Sequence, residues 1–200
     1  MFFNCLLDGF PEECLGYRLN TDYRVGILIT LLFEDESIDF EVKLIQACNL
    51  LFADRVPDNV EEALRIIQWF LSCGRSEEFF EDGYTAEKAD EKCLDFNQDH
   101  LDIWGAFWSK GIDLNEVDMH WFKFMSAISS VGDCPLSQKM GYRAMSLKKM
   151  KGETRAHYKE IKDKVKVRKL VSKEEFEAKV KAAEEKHGSY YAKLLKAQQL

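Results

Sequence analysis

Apolar residues along the chain recur mostly at steps of three and four, the period of helices that bury one face. Val25, Leu28, Ile29, Leu32 and Phe33 make the first such stripe, with Asn20 or Thr21 ahead of it as a capping residue and the acids Glu34, Asp35 and Glu36 behind it. Val42, Leu44, Ile45, Cys48 and Leu51 make a second, predicting a helix over Phe40–Phe52. Pro57, Asp58 and Asn59 announce the next start. Asp58 or Asn59 suits the cap, Glu61 and Glu62 suit the positive end of the first turn, and Leu64, Ile67, Trp69, Phe70 and Leu71 follow up to Gly74.

The pattern lapses from Arg75 to Lys92, an acidic stretch that reads as a loop. It resumes in DFNQDHLDIWGAFWSKGIDL, Asp95–Leu114. Asp95 suits a cap, Leu101, Trp104, Phe107 and Trp108 predict an aromatic packing face, and Gly111 suits a helix stop. Asn115 or Asp118 can restart a helix whose stripe is Trp121, Phe124, Met125 and Ile128. Further helices are predicted over Leu136–Ala144 and, after a cap at Ser146, over Leu147–Val165. Ser172 and Glu175 have the spacing of a capping box for a last helix with Phe176, Val180, Tyr190, Leu194 and Leu195 along a narrow face. So thin a stripe leaves that helix marginal without a partner. At the other end, turn signals in DGFP predict a hairpin of Phe2–Leu7 with Cys14–Leu19.

These elements define a mainly α protein: a multi-helix globular bundle with a small N-terminal β-hairpin and a basic C-terminal helical extension. Residues 1–140 read as an acidic core domain, 141–171 as a basic helical segment on or beside it, and 172–200 as a partner-dependent amphipathic helix. The three prolines stand far apart, at Pro11, Pro57 and Pro135, and permit long helices between them. Trp69, Trp104, Trp108, Trp121 and Phe124 are expected in the core.

Charge sharpens this division. From Gly141 onward seventeen Lys or Arg stand against eight Asp or Glu, whereas the first 140 residues hold eleven against twenty-seven. The net charge of -7 gives no general reason to expect nucleic-acid binding. An acidic body and a basic tail can meet within or between subunits, so a homo-oligomer is expected. The basic segment can act as a phosphate-binding or a protein-binding face. Glu153, Glu160 and Asp163 interrupt it, which favours protein. The expected partner-binding residues are exposed members of this segment, Arg143, Lys148, Lys149, Arg155, Lys159 and Lys162, with Phe176, Val180, Tyr190 and Leu194 from the tail stripe.

Candidate chemistry is thin. Asp95, Asp99, His100, Asp102, Asp118 and His120 cluster in sequence, but acids beside helix starts are normal caps. The set lacks HExxH, zinc spacing or a calcium loop. Tyr17, Arg18, Tyr23 and Arg24 can form an anion site or a turn and helix start. GxSxG, the phosphate loops and CxxC are absent. The six cysteines read as reduced thiols of a cytoplasmic protein, and no apolar run is long enough for a membrane span. No enzyme activity, cofactor or metal is expected.

Four runs, in order, carry a resemblance: LNTDYR (Leu19–Arg24), EEALRIIQWFLSCG (Glu61–Gly74), LDFNQDHLDIWGAFWSKGIDLNEVDMHWFKFMSAI (Leu94–Ile128) and MGYRAMSLKKMKGETRAHYKEIK (Met140–Lys162). Together they resemble the Gp15 family of tailed-bacteriophage proteins, over most of residues 15 to 165. Phe122 stands where the family has a second tryptophan, and the tail beyond about Leu170 lies past the shared region. The resemblance implies a non-enzymatic morphogenesis protein from the tail gene module, in the position of a tail assembly chaperone. Such a protein binds the tape-measure protein and tail-tube subunits in the host cytoplasm and is absent from the mature virion. The alternative it leaves is a virion component such as a head–tail connector or tail completion protein.

Overall fold

The computed structural model describes residues 3–75, 92–168 and 173–187. They are mainly helical, as the periodicity predicts. A two-stranded antiparallel hairpin, β1 (Glu13–Cys14) and β2 (Tyr17–Arg18), precedes α1 (Tyr23–Glu34), α2 (Phe40–Leu51) and α3 (Val60–Leu71). Then come α4 (His100–Trp108), α5 (Trp121–Ser129), α6 (Pro135–Ala144), α7 (Gly152–Val165) and α8 (Lys173–His187). The chain divides into two compact units, Met1–Lys166 and Val167–Leu200. Residues 141–166 therefore share a unit with the acidic body.

The hairpin is shorter than expected and pairs within residues 13–18. Residues 4–8 instead form a turn in which Asn4 accepts from the amides of Leu7 and Asp8. The segment after it stitches the first unit together. The Asn20 amide donates to Leu51 O at 2.7 Å, while the Trp121 amide donates to Thr21 O at 2.7 Å and the Tyr23 amide to Met119 O at 2.8 Å. LNTDYR is thus held between the end of α2 and the start of α5. Asp22, rather than Asn20 or Thr21, caps α1 by accepting from the Arg24 amide at 2.8 Å. Asn59 caps α3 in the same way, accepting from Glu61 at 2.8 Å.

Trp121, Phe122 and Phe124 anchor the core. They pack with Phe70, Phe96, Phe107 and Tyr23 in stacked and tilted ring pairs. Gly26 in α1 lies against the indole of Trp121, where an added Cβ would meet ring carbons at 2.3 Å. That missing side chain lets α1 pack closely on α5.

Several residues placed in the core by their spacing face solvent. Leu28, Val42 and Ile45 are about half exposed, and so is Trp108. α4 is apolar on almost all sides, and the side facing the core is Ile103, Ala106 and Phe107. Leu101 and Trp108 sit on the opposite side, since 100° per residue places them within about 20° of each other and roughly opposite Ile103 and Ala106. α7 begins later than Leu147. Gly152 adopts φ +59° and separates a turn at 146–151 from the helix, so Ser146 serves that turn rather than α7. The predicted box residue Ser172 and the loop residues 76–91 lie outside the described residues.

Candidate functional site

The residues with most chemical potential form a buried ionic network. Asp99 is fully buried at the start of α4, and Arg143 of α6 is 3% exposed. Arg143 Nη1 donates to Asp99 Oδ2 at 2.5 Å and Nη2 to Oδ1 at 3.0 Å, a two-point ion pair. The same guanidinium donates to Cys93 O at 3.0 Å and, from Nε, to Val165 O at 2.5 Å. Asp99 also accepts from the Asp95 amide at 3.0 Å, and Lys139 pairs with Asp102. Lys92 Nζ lies 2.6 Å from Glu34 and 2.9 Å from Asp95. Burial raises the Asp99 carboxyl, but the Arg143 hydrogen bonds, the Asp95 amide and the charges of Arg143 and Lys139 outweigh it, and its pKa is lowered. Asp95 is lowered in the same sense, its burial outweighed by Lys92 and two backbone amides.

Each carboxylate of this network is paired with a cation: Asp99 with Arg143, Asp102 with Lys139, and Glu34 and Asp95 with Lys92. Asp95 accepts from the Asn97 and Gln98 amides and so caps a turn ahead of α4. His120 caps α5: its Nδ1 accepts from the Phe122 amide at 3.1 Å, which leaves Nε2 to donate to Pro11 O at 3.0 Å. Burial lowers its pKa against the opposing influence of Pro11 and Glu12, so the ring is held neutral. Tyr23 and Arg24 both donate to Leu114 O, joining α1 to the loop before α5 rather than forming an anion pocket. Among the described residues no group of three His, Cys, Asp or Glu side chains is placed to hold a metal ion. No helix among them is long and apolar enough to cross a membrane.

The expected partner-binding residues fall into three sets. Arg143 is a correction: it is not exposed but clamps Cys93, Asp99 and Val165 together. Its sequence context, a basic segment, hid the buried carboxylate 44 residues earlier that claims it. Lys148, Arg155, Lys159 and Lys162 converge on an open cleft of about 600 Å³ between the 146–148 turn and α7. Lys149 is exposed beside that turn. Of the tail residues, Phe176 lies in α8 and Val180 is buried, whereas Tyr190 and Leu194 fall outside the described residues.

Among the described residues, predicted site residues meet at this cleft. α7 buries none of its residues. Arg155, Lys159, Lys162 and Lys166 recur on one of its faces at steps of four, three and four, with Asp163 the only acid in the lining. Leu147 gives the opposite wall an apolar contact. Lys162 spans the walls by donating to Met145 O at 2.9 Å, and Arg143 holds the far end of α7 through Val165. Such a concave, cationic helix face creates a positive local potential that attracts anionic groups and is screened by salt. It is built on the same ion pair that buries Arg143.

A family model described as Bacteriophage Gp15 protein matches residues 6–167. No curated protein and no solved structure matches the chain. The matched span covers the first compact unit almost completely and includes the Asp99–Arg143 pair and the α7 cleft.

Proposed function

From the chain's membership of the Bacteriophage Gp15 family, which carries a role in phage tail morphogenesis, we propose that this protein is a tail assembly chaperone. It binds the tape-measure protein, tail-tube subunits or both, acts in the host cytoplasm during infection and stays out of the mature virion. It works by binding and not by catalysis.

The observation that carries this reading is the cationic cleft of α7 on an otherwise acidic unit. The residues of the resembling runs serve caps, the aromatic core and the buried ion pair, and the fourth run also supplies cations that line the cleft, so the fold supports a surface for contacts. A long helical client with acidic stretches would be held by the α7 face, and its apolar stripes would be kept from aggregating while the tube assembles.

Co-expression with the tape-measure protein of the same phage, followed by size exclusion with light scattering, tests this. A soluble complex of defined mass is the expected result. A tape measure that stays insoluble while this chain elutes unbound refutes the chaperone reading. Mass spectrometry of purified particles separates the alternative, because a head–tail connector or tail completion protein remains in the virion.

A further inference from the structure

α4 carries an apolar ridge that leaves two large residues open to solvent. Leu101 is 72% exposed and Trp108 54% exposed, and both point away from the side that enters the core. Trp104 stacks on Trp108 with ring centroids 5.0 Å apart and planes 15° apart, so the two indoles form one rigid slab. Between Leu101 and Trp108 lies Gly105, exposed, with nothing within 4 Å of where a Cβ would stand. The result is a notch flanked by a leucine and a double indole. Leu101, Trp104, Gly105 and Trp108 recur at the spacing of one helical face; Leu101, Gly105 and Trp108 are open to solvent, while Trp104 is partly buried against the core and backs the exposed Trp108 ring.

We infer that this ridge is a docking site for an amphipathic helix of a partner protein, with a large apolar residue entering the Gly105 notch. Three observations select that occupant. The ridge runs the length of α4, nine residues or roughly 13 Å, which matches about two turns of a facing helix. Its four residues carry no charge, so recognition is by apolar shape, unlike the α7 cleft. Its area argues against a second copy as the occupant. A large aromatic covers roughly 150–250 Å² when fully buried, so the exposed parts of Trp108 and Leu101 offer a few hundred Å² at most. A stable dimer takes about 800 Å² from each partner. A short helix held by a tryptophan anchor fits the smaller surface.

The inference rests on the chaperone reading, because the client supplies the helix. The test uses the full chain and the tape-measure protein of the same phage, with affinity measured at low and high salt. One variant is Leu101→Gln with Trp108→Gln. A second is Gly105→Gln, which fills the notch from a position where the monomer has open space. Both should keep the wild-type circular dichroism and melting temperature to within a few degrees, and Gly105→Gln removes a mid-helix glycine. Each should weaken binding at least tenfold, with the loss unchanged by salt. If both variants bind the tape measure as wild type does, the ridge is not the docking site and the chaperone reading survives. If wild type does not bind the tape measure at all, the chaperone reading fails and the inference falls with it. If wild type alone is a dimer that Gly105→Gln dissociates, a second copy covers the ridge and the inference is wrong.

Discussion

Arg143 reaches across from α6 to grip both oxygens of the Asp99 carboxylate, at 2.5 and 3.0 Å, with neither side chain open to water. The pair joins the turn before α4, the end of α7 and α6. Removing one partner strands the other as a buried charge. Arg143→Ala or Asp99→Ala should cost about 3–5 kcal/mol, visible as a lower urea midpoint. The paired change Asp99→Leu with Arg143→Met should recover much of that loss, because no lone charge remains. A single variant as stable as wild type would show that the pair does not hold α7 in place.

Stability should also report these groups through pH. The Asp99 and Asp95 carboxyls are lowered in the folded state, so the native protein holds fewer protons than the unfolded chain in acid. Their contribution is complete above the unfolded value of about 4 and is lost as pH falls through the lower folded values. His120 adds a second step. Its folded pKa is lowered too, so its contribution is complete above about 6.5 and declines below that as the ring is forced to take a proton. Protonated, it can no longer accept from the Phe122 amide. Melting temperatures from pH 7.5 to 3 should fall in both windows, and His120→Asn should remove the first decline while leaving the second.

Gly26 tests how closely α1 and α5 are packed. A glycine inside a helix normally costs about 0.5–1 kcal/mol relative to alanine, so Gly26→Ala would stabilise a surface helix. Here the new methyl meets the Trp121 ring at 2.3 Å. The substitution should instead destabilise by about 1–3 kcal/mol, measured by chemical denaturation. Gly26→Ala with Trp121→Phe, which removes the second ring, should be less destabilised than the two single losses added together.

Helices α1 to α5 were legible because each buries apolar residues recurring at helical spacing, and glycine, proline or an acidic run marks most ends; α7, which buries none of its residues, was legible from its basic, helix-favouring composition instead. What could not be read was which side of α4 turns inward. HLDIWGAFW is apolar almost all round, so periodicity could not choose between Phe107 with Ile103 and Trp108 with Leu101. Partners distant in sequence made that choice, chiefly Phe124 against Phe107 and Arg143 against Asp99. The same distance hid the role of Arg143. The basic run from Lys148 to Lys166 was legible as a surface, and five of its cations, Lys148, Arg155, Lys159, Lys162 and Lys166, line one cleft.

That face yields the most direct functional prediction. Arg155 and Lys159 are exposed and line the cleft, and no residue of α7 is buried. Reversing both charges, Arg155→Glu with Lys159→Glu, should change stability by no more than about 0.5 kcal/mol per site. Binding to an acidic client should weaken sharply, and the gap between variant and wild type should close as salt rises, because screening removes what the wild-type cations contribute. Titrating the full chain with the tape-measure protein at 50 and 500 mM salt, about 14 and 4 Å of screening length, separates the cases. Loss of binding that is equal at both salts would mean the α7 face acts through shape. No loss at either salt would remove the cleft from the binding surface and leave the α4 ridge as the contact to pursue.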